Sequence, residues 1–274
     1  MYKRQLADSV IVGKTLGADS LAAVGSTSII IYFVFCFING FTGGFGICLG
    51  QKCGAKDEKG MRKSVAVSAL LSIAFTVVLT LICCLLSHQI LRWMQIPADI
   101  SDEAYDYMFV VLLGTGATVF YNMISNMLRA LGDSKTPLYF LILAALLNIV
   151  LDLVFIIVFH MGVAGAAWAT ITAQGVSGVL CLIYIIKYVP ELRLKADDWR
   201  FRSEIAKKEI LVGIPMGLQY SITAIGTMMV QSALNILGSY AVAAFTAGNK
   251  IENIFTQAYV AIGTTMATYN AQNI

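Results

Sequence analysis

Six stretches of this chain, residues 20–51, 64–91, 107–128, 153–186, 210–249 and 253–274, contain no Asp, Glu, Lys or Arg. A helix crosses a bilayer with about 20 apolar residues, so each stretch is long enough to span one. Inside lipid every backbone N–H and C=O must find a partner within the protein, which leaves only helices or closed barrels. The stretches lack the strict period-two alternation of barrel strands. The expected fold class is therefore an all-α polytopic membrane protein. Composition agrees, with 58% hydrophobic and 13% charged residues, where a soluble domain has nearly half and about a quarter.

The charges that remain fix orientation. Residues 51–63 carry Lys52, Lys56, Lys59, Arg62 and Lys63 against Asp57 and Glu58. The segment 187–209 carries seven basic residues, and 129–136 adds Arg129 and Lys135. Residues 93–106 hold four acids and no base, while 161–164 and 237–240 hold no charge. Basic connections alternate with non-basic ones, which places the basic loops in the cytoplasm. The net charge of +3 sits in these short loops, so it marks topology and gives no signal for nucleic acid. The six cysteines (Cys36, Cys48, Cys53, Cys83, Cys84, Cys181) show no CxxC pair. They read as buried thiols, with neither a disulfide framework nor a metal site.

Eight helices are expected in order. The first, Leu6 to Val12, is too short to span and reads as the end of a longer helix. Residues 1–5 read as foreign to it, because Met-Tyr-Lys-Arg-Gln is what GTG-TAT-AAG-AGA-CAG encodes, a string that resembles a sequencing adapter. The others cover about 21–50, 64–91, 104–131, 137–160, 166–186, 210–237 and 241–270. Gly40, Gly43, Gly44 and Gly46 crowd one end of the second helix, where small residues let helices approach closely in lipid. Residues 187–209, with alternating charges and Trp199, read as an interfacial linker on the cytoplasmic side.

The fifth run, Pro137 to His160, is interrupted by Asn148 and Asp152. Four residues apart, they stack on one helix face. A carboxyl group at bilayer depth costs about 2.5–3.5 kcal/mol on insertion scales, and such residues are rarely kept without a task. Desolvation favours the protonated form of Asp152, so it can take a proton from one side and release it to the other. With neutral oxygens beside it, the same group can hold Na+.

Laid on itself with a shift of 221 residues, the chain repeats weakly. Leu16-Gly17 meets Leu237-Gly238, Ala22-Ala23 meets Ala243-Ala244, and Gln51 meets Gln272, in all six of 36 positions without a gap. Internal repeats are common in transporters. The expected organisation is a first lobe of six helices over residues 1–186, a linker over 187–209, and the first two helices of a second lobe over 210–274. On that reading the chain holds little more than half of a twelve-helix protein.

Several segments together resemble one family: Leu6-Ala-Asp-Ser-Val-Ile-Val-Gly13, Leu16-Gly-Ala-Asp-Ser-Leu-Ala-Ala-Val24, Leu128-Arg-Ala-Leu-Gly-Asp-Ser-Lys-Thr-Pro137, Leu147-Asn-Ile-Val-Leu-Asp152, Gly162-Val-Ala-Gly-Ala-Ala-Trp-Ala-Thr170 and Ile214-Pro-Met-Gly-Leu-Gln219. The chain is similar over residues 6–274 to the multidrug and toxic compound extrusion (MATE) family, and resembles its bacterial DNA-damage-inducible-protein-F-like branch. The resemblance implies two lobes around a central cavity in the bacterial inner membrane, alternating access, and efflux of amphiphilic or cationic compounds in exchange for H+ or Na+. It implies a monomer that needs no cofactor beyond the coupling ion. It also implies a cation or proton site formed by Asp8, Asn148, Asp152 and Thr170 with Tyr107 nearby. The second-lobe glutamate of some members falls at Thr223, a departure that argues against a second-lobe Na+ site of that kind.

For the substrate cavity the candidates are Lys250 and Glu252, a pair that interrupts the last helix, with Met228 and Gln231 on the helix before it. Flexible Met side chains suit varied ligands. An integral-membrane enzyme would need clustered nucleophiles or metal ligands at membrane depth, and the chain has none, so no catalytic residue is named. A flippase for lipid-linked sugars built on related lobes is the alternative transporter, and it calls for a strongly basic cavity. A fragment without transport activity is the third reading.

Overall fold

The computed structural model describes residues 2–94, 96–236 and 239–273, without the side chains of residues 2–7 and of much of 228–257. The expected helices are present in the expected order: α1 (Tyr2–Thr15), α2 (Ala18–Gly54), α3 (Glu58–Trp93), α4 (Ser101–Leu113), α5 (Thr115–Ala130), α6 (Lys135–Leu153), α7 (Gly162–Tyr188), α8 (Ser203–Ile236) and α9 (Ser239–Asn273). Among the described residues no strand occurs. Among the described residues five helices are individually long and apolar enough to cross a membrane, and α4 with α5, bent by 40° at their junction, brings the number to six if the pair is one span.

That bend departs from the single helix expected over 104–131. It falls at Gly114, where a Cβ would run into the Ile171 side chain on α7, so the close approach of α7 selects glycine. The Thr115 hydroxyl then donates to the Leu112 carbonyl at 2.9 Å and meets the Thr80 hydroxyl of α3 at 2.8 Å. These bonds satisfy polar groups exposed by the break, as lipid demands.

A second departure concerns the run that carries Asp152. The α-helix ends at Leu153 and continues as a π turn, Val154–Val158. Gly165 at the start of α7 lies against this turn, where a Cβ would come within 3.2 Å of the Phe155 backbone. Along α6, Leu138, Ile142, Leu146 and Val150 are all more than half exposed, while Ala144, Asn148 and Asp152 are buried. Spacing of four residues thus splits the helix into a lipid face and a polar inward face.

Most of the described core lies in α1–α7. One apolar cluster joins Val12, Ile31, Val34, Tyr107, Met108, Ala166 and Ala167, and a second joins Phe41, Phe45, Leu49, Ile124, Leu128 and Cys181. The long α2 runs through both, and its largest helix partner is α8. The crossing is as close as backbones allow. A Cβ on Gly40 would run into the Met216 carbonyl, and one on Gly44 would lie 2.5 Å from the Gly213 Cα. Gly40 and Gly44 on α2 therefore face Gly213 and Gly217 on α8, a small-xxx-small pattern on both helices. At the end carrying the basic loops, α9 closes on the same helix. Gly54 lies against the Gln272 backbone, and the Gln272 amide donates to the Ala130 carbonyl of α5 at 2.7 Å.

The linker between α7 and α8 consists of two 3-10 turns, Pro190–Leu192 and Ala196–Trp199. It is pinned to α3 by Arg62, whose Nε lies 3.3 Å from Asp198 Oδ2. Trp199 is exposed.

Candidate functional site

The inward face of α6 delivers Asn148 and Asp152 to the interior, both completely buried. Asn148 Nδ2 donates to Thr170 Oγ1 on α7 at 3.2 Å. The Thr170 hydroxyl in turn donates to Asp8 Oδ2 on α1 at 3.2 Å. The consecutive helices α6 and α7 are thus tied to the distant α1 by one polar chain, Asn148 to Thr170 to Asp8. A Thr in a helix ordinarily bonds back to its own carbonyls, so a hydroxyl that accepts from one side chain and donates to another is positioned by its surroundings.

Asp8 is 3% exposed although it lies near the start of the chain. Tyr107 on α4 is buried in the apolar cluster that holds Val12 of α1 and Ala166 and Ala167 of α7. Thr170 itself is half-buried. Asn148 Oδ1 is buried without a hydrogen-bond partner, a lone-pair oxygen beside the carboxyl one turn along. Two carboxyl groups, an amide oxygen and a hydroxyl are hard oxygen donors. Such donors suit a proton or a small hard cation and are poor ligands for soft metals. Among the described residues no cluster of three or more His, Cys, Asp or Glu occurs.

The other expected residues fare differently. Lys250, Met228 and Gln231 lie outside the described side chains. Glu252 is exposed on α9. Thr223 is exposed, its hydroxyl bonded back to the Gln219 carbonyl at 3.0 Å.

One buried acid was not anticipated. Glu209, on the second turn of α8, is completely buried, and Ser64 of α3 donates to its Oε1 at 2.7 Å. It sits at the end of the charged linker between Lys208 and the apolar run, where an acid reads as solvated. The signal that could have found it is Gly213, four residues on and so on the same helix face.

Comparison with known proteins decides the family. The MatE family model matches residues 1–154. The chain belongs to the MatE family. Among its relatives, the probable multidrug resistance protein YpnP of Bacillus subtilis is 36% identical over 272 residues, 98% of this chain and 60% of that protein. The probable multidrug resistance protein NorM of Thermotoga maritima is 28% identical over 279 residues, covering 97% of this chain and 58% of its own length. A solved MOP superfamily transporter from Pyrococcus furiosus superposes with a TM-score of 0.88 at 28% identity, covering 99% of this chain and 62% of that one. A MATE structure in the bent conformation gives 0.86 at 28% identity, over 98% and 60%. This MatE chain thus spans about three fifths of the length of the relatives it matches. It is a multi-pass membrane protein of the bacterial inner membrane, and its relatives bear the names of transporters and resistance proteins.

Proposed function

We propose that the chain carries the ion-coupling site of a secondary transporter that exports amphiphilic or cationic compounds in exchange for H+ or Na+. The observation that carries this reading is the polar chain Asn148–Thr170–Asp8, buried at its Asn148 and Asp8 ends, with buried Asp152 one turn along α6 from Asn148. Two carboxyl groups kept at bilayer depth are costly unless their charge state is used.

Each residue has a role. Asp152 takes the proton or binds the cation, Asn148 Oδ1 supplies a neutral oxygen on the same face, and the Thr170 hydroxyl holds Asp8 and Asn148 at a fixed separation. Loading the site cancels buried charge and so lowers the cost of keeping it dry; unloading restores the charge and favours hydration. An ion that binds one arrangement of the helices better than another shifts the balance between them by that difference in affinity. Residues 1–186 and 210–274 then act as two lobes whose relative movement exposes the site to either side. The relatives named for multidrug resistance support drug-like substrates.

The test is efflux of a cationic dye from vesicles under an imposed pH gradient or an imposed Na+ gradient. It is run on this chain and on a version extended to the length of its relatives. Asp152→Asn is expected to abolish transport in whichever version transports. Normal coupled transport by that variant refutes the site.

A further inference from the structure

Glu209 takes no part in the polar chain, yet it is as deeply buried as Asn148 and Asp152. It belongs to α8, while the groups that hold it belong to α3. Ser64 donates to its Oε1 at 2.7 Å, and Ser68, one turn further on, lies beside the same carboxyl. One turn beyond Glu209, Gly213 meets Gly44 with backbones touching, so α8 cannot drift from the bundle without pulling Glu209 off Ser64. Against this contact lies a cavity of about 220 Å3 lined by Cys48, Lys52, Ser64, Glu204, Ile205 and Lys208. It reaches the surface at Glu204 and Lys208, both exposed, and it is roomy and polar enough to hold water.

The charged and titratable neighbours do not pair with Glu209. Lys52 and Cys48 face the cavity from α2, and Lys208 and Glu204 from α8 itself. From α3, Arg62 is engaged with Asp198. The ion pairs among the described residues, Arg62 with Glu58 and with Asp198, leave Glu209 without one. A carboxylate taken from water without a cationic partner is expensive, whereas a neutral carboxyl group between hydroxyls is not.

We propose that Glu209 is a proton-binding latch on the cytoplasmic side of the protein. Burial without a cationic partner keeps it the neutral acid while α8 lies on α3, with Ser64 fixing its position, and it loses its proton to water when α8 withdraws. This rests on the reading that α8–α9 moves against α1–α7. The proton enters and leaves on the same side, so it adds nothing to the ion exchanged across the membrane. Its effect is to set the pH at which that side closes. The closed form binds the extra proton, so acid favours it and alkali opens it. Within the titration window the closed-to-open ratio changes by up to about tenfold per pH unit for one proton.

The experiment needs no transport. In a variant whose six cysteines are replaced, spin labels are placed at Lys59 on α3 and Lys207 on α8, both exposed. Their separation is then measured in lipid nanodiscs from about pH 5 to about pH 9, the range over which carboxyl groups in protein interiors exchange protons. The expected result is a short-distance population that falls as pH rises. Glu209→Gln, which still accepts from Ser64 but cannot ionise, should stay short throughout. Gly44→Trp, which wedges α2 from α8, should be long throughout. A pH response in Glu209→Gln equal to the parent's overturns the latch, as does a parent insensitive to pH while Gly44→Trp separates the labels. If even Gly44→Trp leaves the distance unchanged, the seam does not open, and the moving-helix reading falls together with the latch.

Discussion

The polar chain within α1–α7 and the carboxyl group between α3 and α8 are both buried acidic sites, but they are held by different parts of the molecule. Asp8, Thr170 and Asn148 come from α1, α7 and α6, and α1 and α7 also share the apolar cluster of Val12, Tyr107 and Ala166. Glu209 is buried only because α8 lies on the bundle, with Gly213 against Gly44. The residues of the first polar chain all belong to one bundle, α1–α7. The second exists only while the two parts touch. On the proposed reading, the first keeps its geometry through a cycle, and the second is a contact made in one state and broken in the other.

The largest expected effect separates them outright. Gly44→Leu puts a side chain where a Cβ alone would lie 2.5 Å from the Gly213 Cα. Overpacking of this kind costs about 1–3 kcal/mol, and separation of the helices relieves it. The expected outcome is a lowered thermal unfolding midpoint in detergent with the Lys59–Lys207 distance lengthened at every pH. A Gly44→Leu variant with unchanged stability and distance would show that the α2–α8 crossing does not depend on touching backbones.

Thr170→Val comes next and breaks the comparison from the other side. It keeps the shape of the side chain and deletes a hydroxyl that accepts from Asn148 and donates to Asp8. Buried polar groups left without partners cost about 1–3 kcal/mol. The unfolding midpoint should fall, while the Lys59–Lys207 distance and its pH response stay as in the parent. A change in that distance would mean that the two sites are mechanically joined and that the bundle is not a rigid holder.

Much of this was legible in the sequence, for reasons that differ from residue to residue. Lipid enforces apolar runs, so the helices could be read with little ambiguity. Asn148 and Asp152 stood out because a polar pair four apart in such a run has few other readings. Asp8 and Thr170 did not stand out on chemistry alone, since an Asp near a chain end reads as solvated and a helical Thr bonds to its own backbone. They were reached through family resemblance, and the structure brings them into hydrogen-bond contact. The bend at Gly114 was invisible because one glycine in an apolar run is unremarkable until Ile171 is seen against it. Glu209 was hidden by its neighbours, because its burial comes from α2 and α3, with its partner Ser64 lying 145 residues away in sequence.

Ser64→Ala tests the contact made between the two parts. It removes the donor to Glu209 Oε1 and leaves Ser68 in place. With a second hydroxyl nearby, the loss should be about 0.5–1.5 kcal/mol, that of an ordinary hydrogen bond. The closed population should shrink by up to about tenfold, read from the same label pair. Equal populations in Ser64→Ala and the parent would place the holding force in the glycine crossing alone.

The smallest effect concerns Gln272, the residue that the weak repeat sets opposite Gln51. Its amide donates to the Ala130 carbonyl at the end of α5, and its backbone lies against Gly54. This contact closes α9 on the same end of the bundle as the Glu209 latch, but it contains no ionisable group. Gln272→Ala should therefore destabilise the closed arrangement by about 0.5–1.5 kcal/mol equally at every pH, shifting the midpoint of the distance transition without changing its steepness. Glu209→Gln should abolish the transition itself. A steepness altered by Gln272→Ala would mean that a second titrating group takes part in closure, whereas an unaltered one assigns the proton to Glu209 and the mere strength of the seam to its neutral contacts.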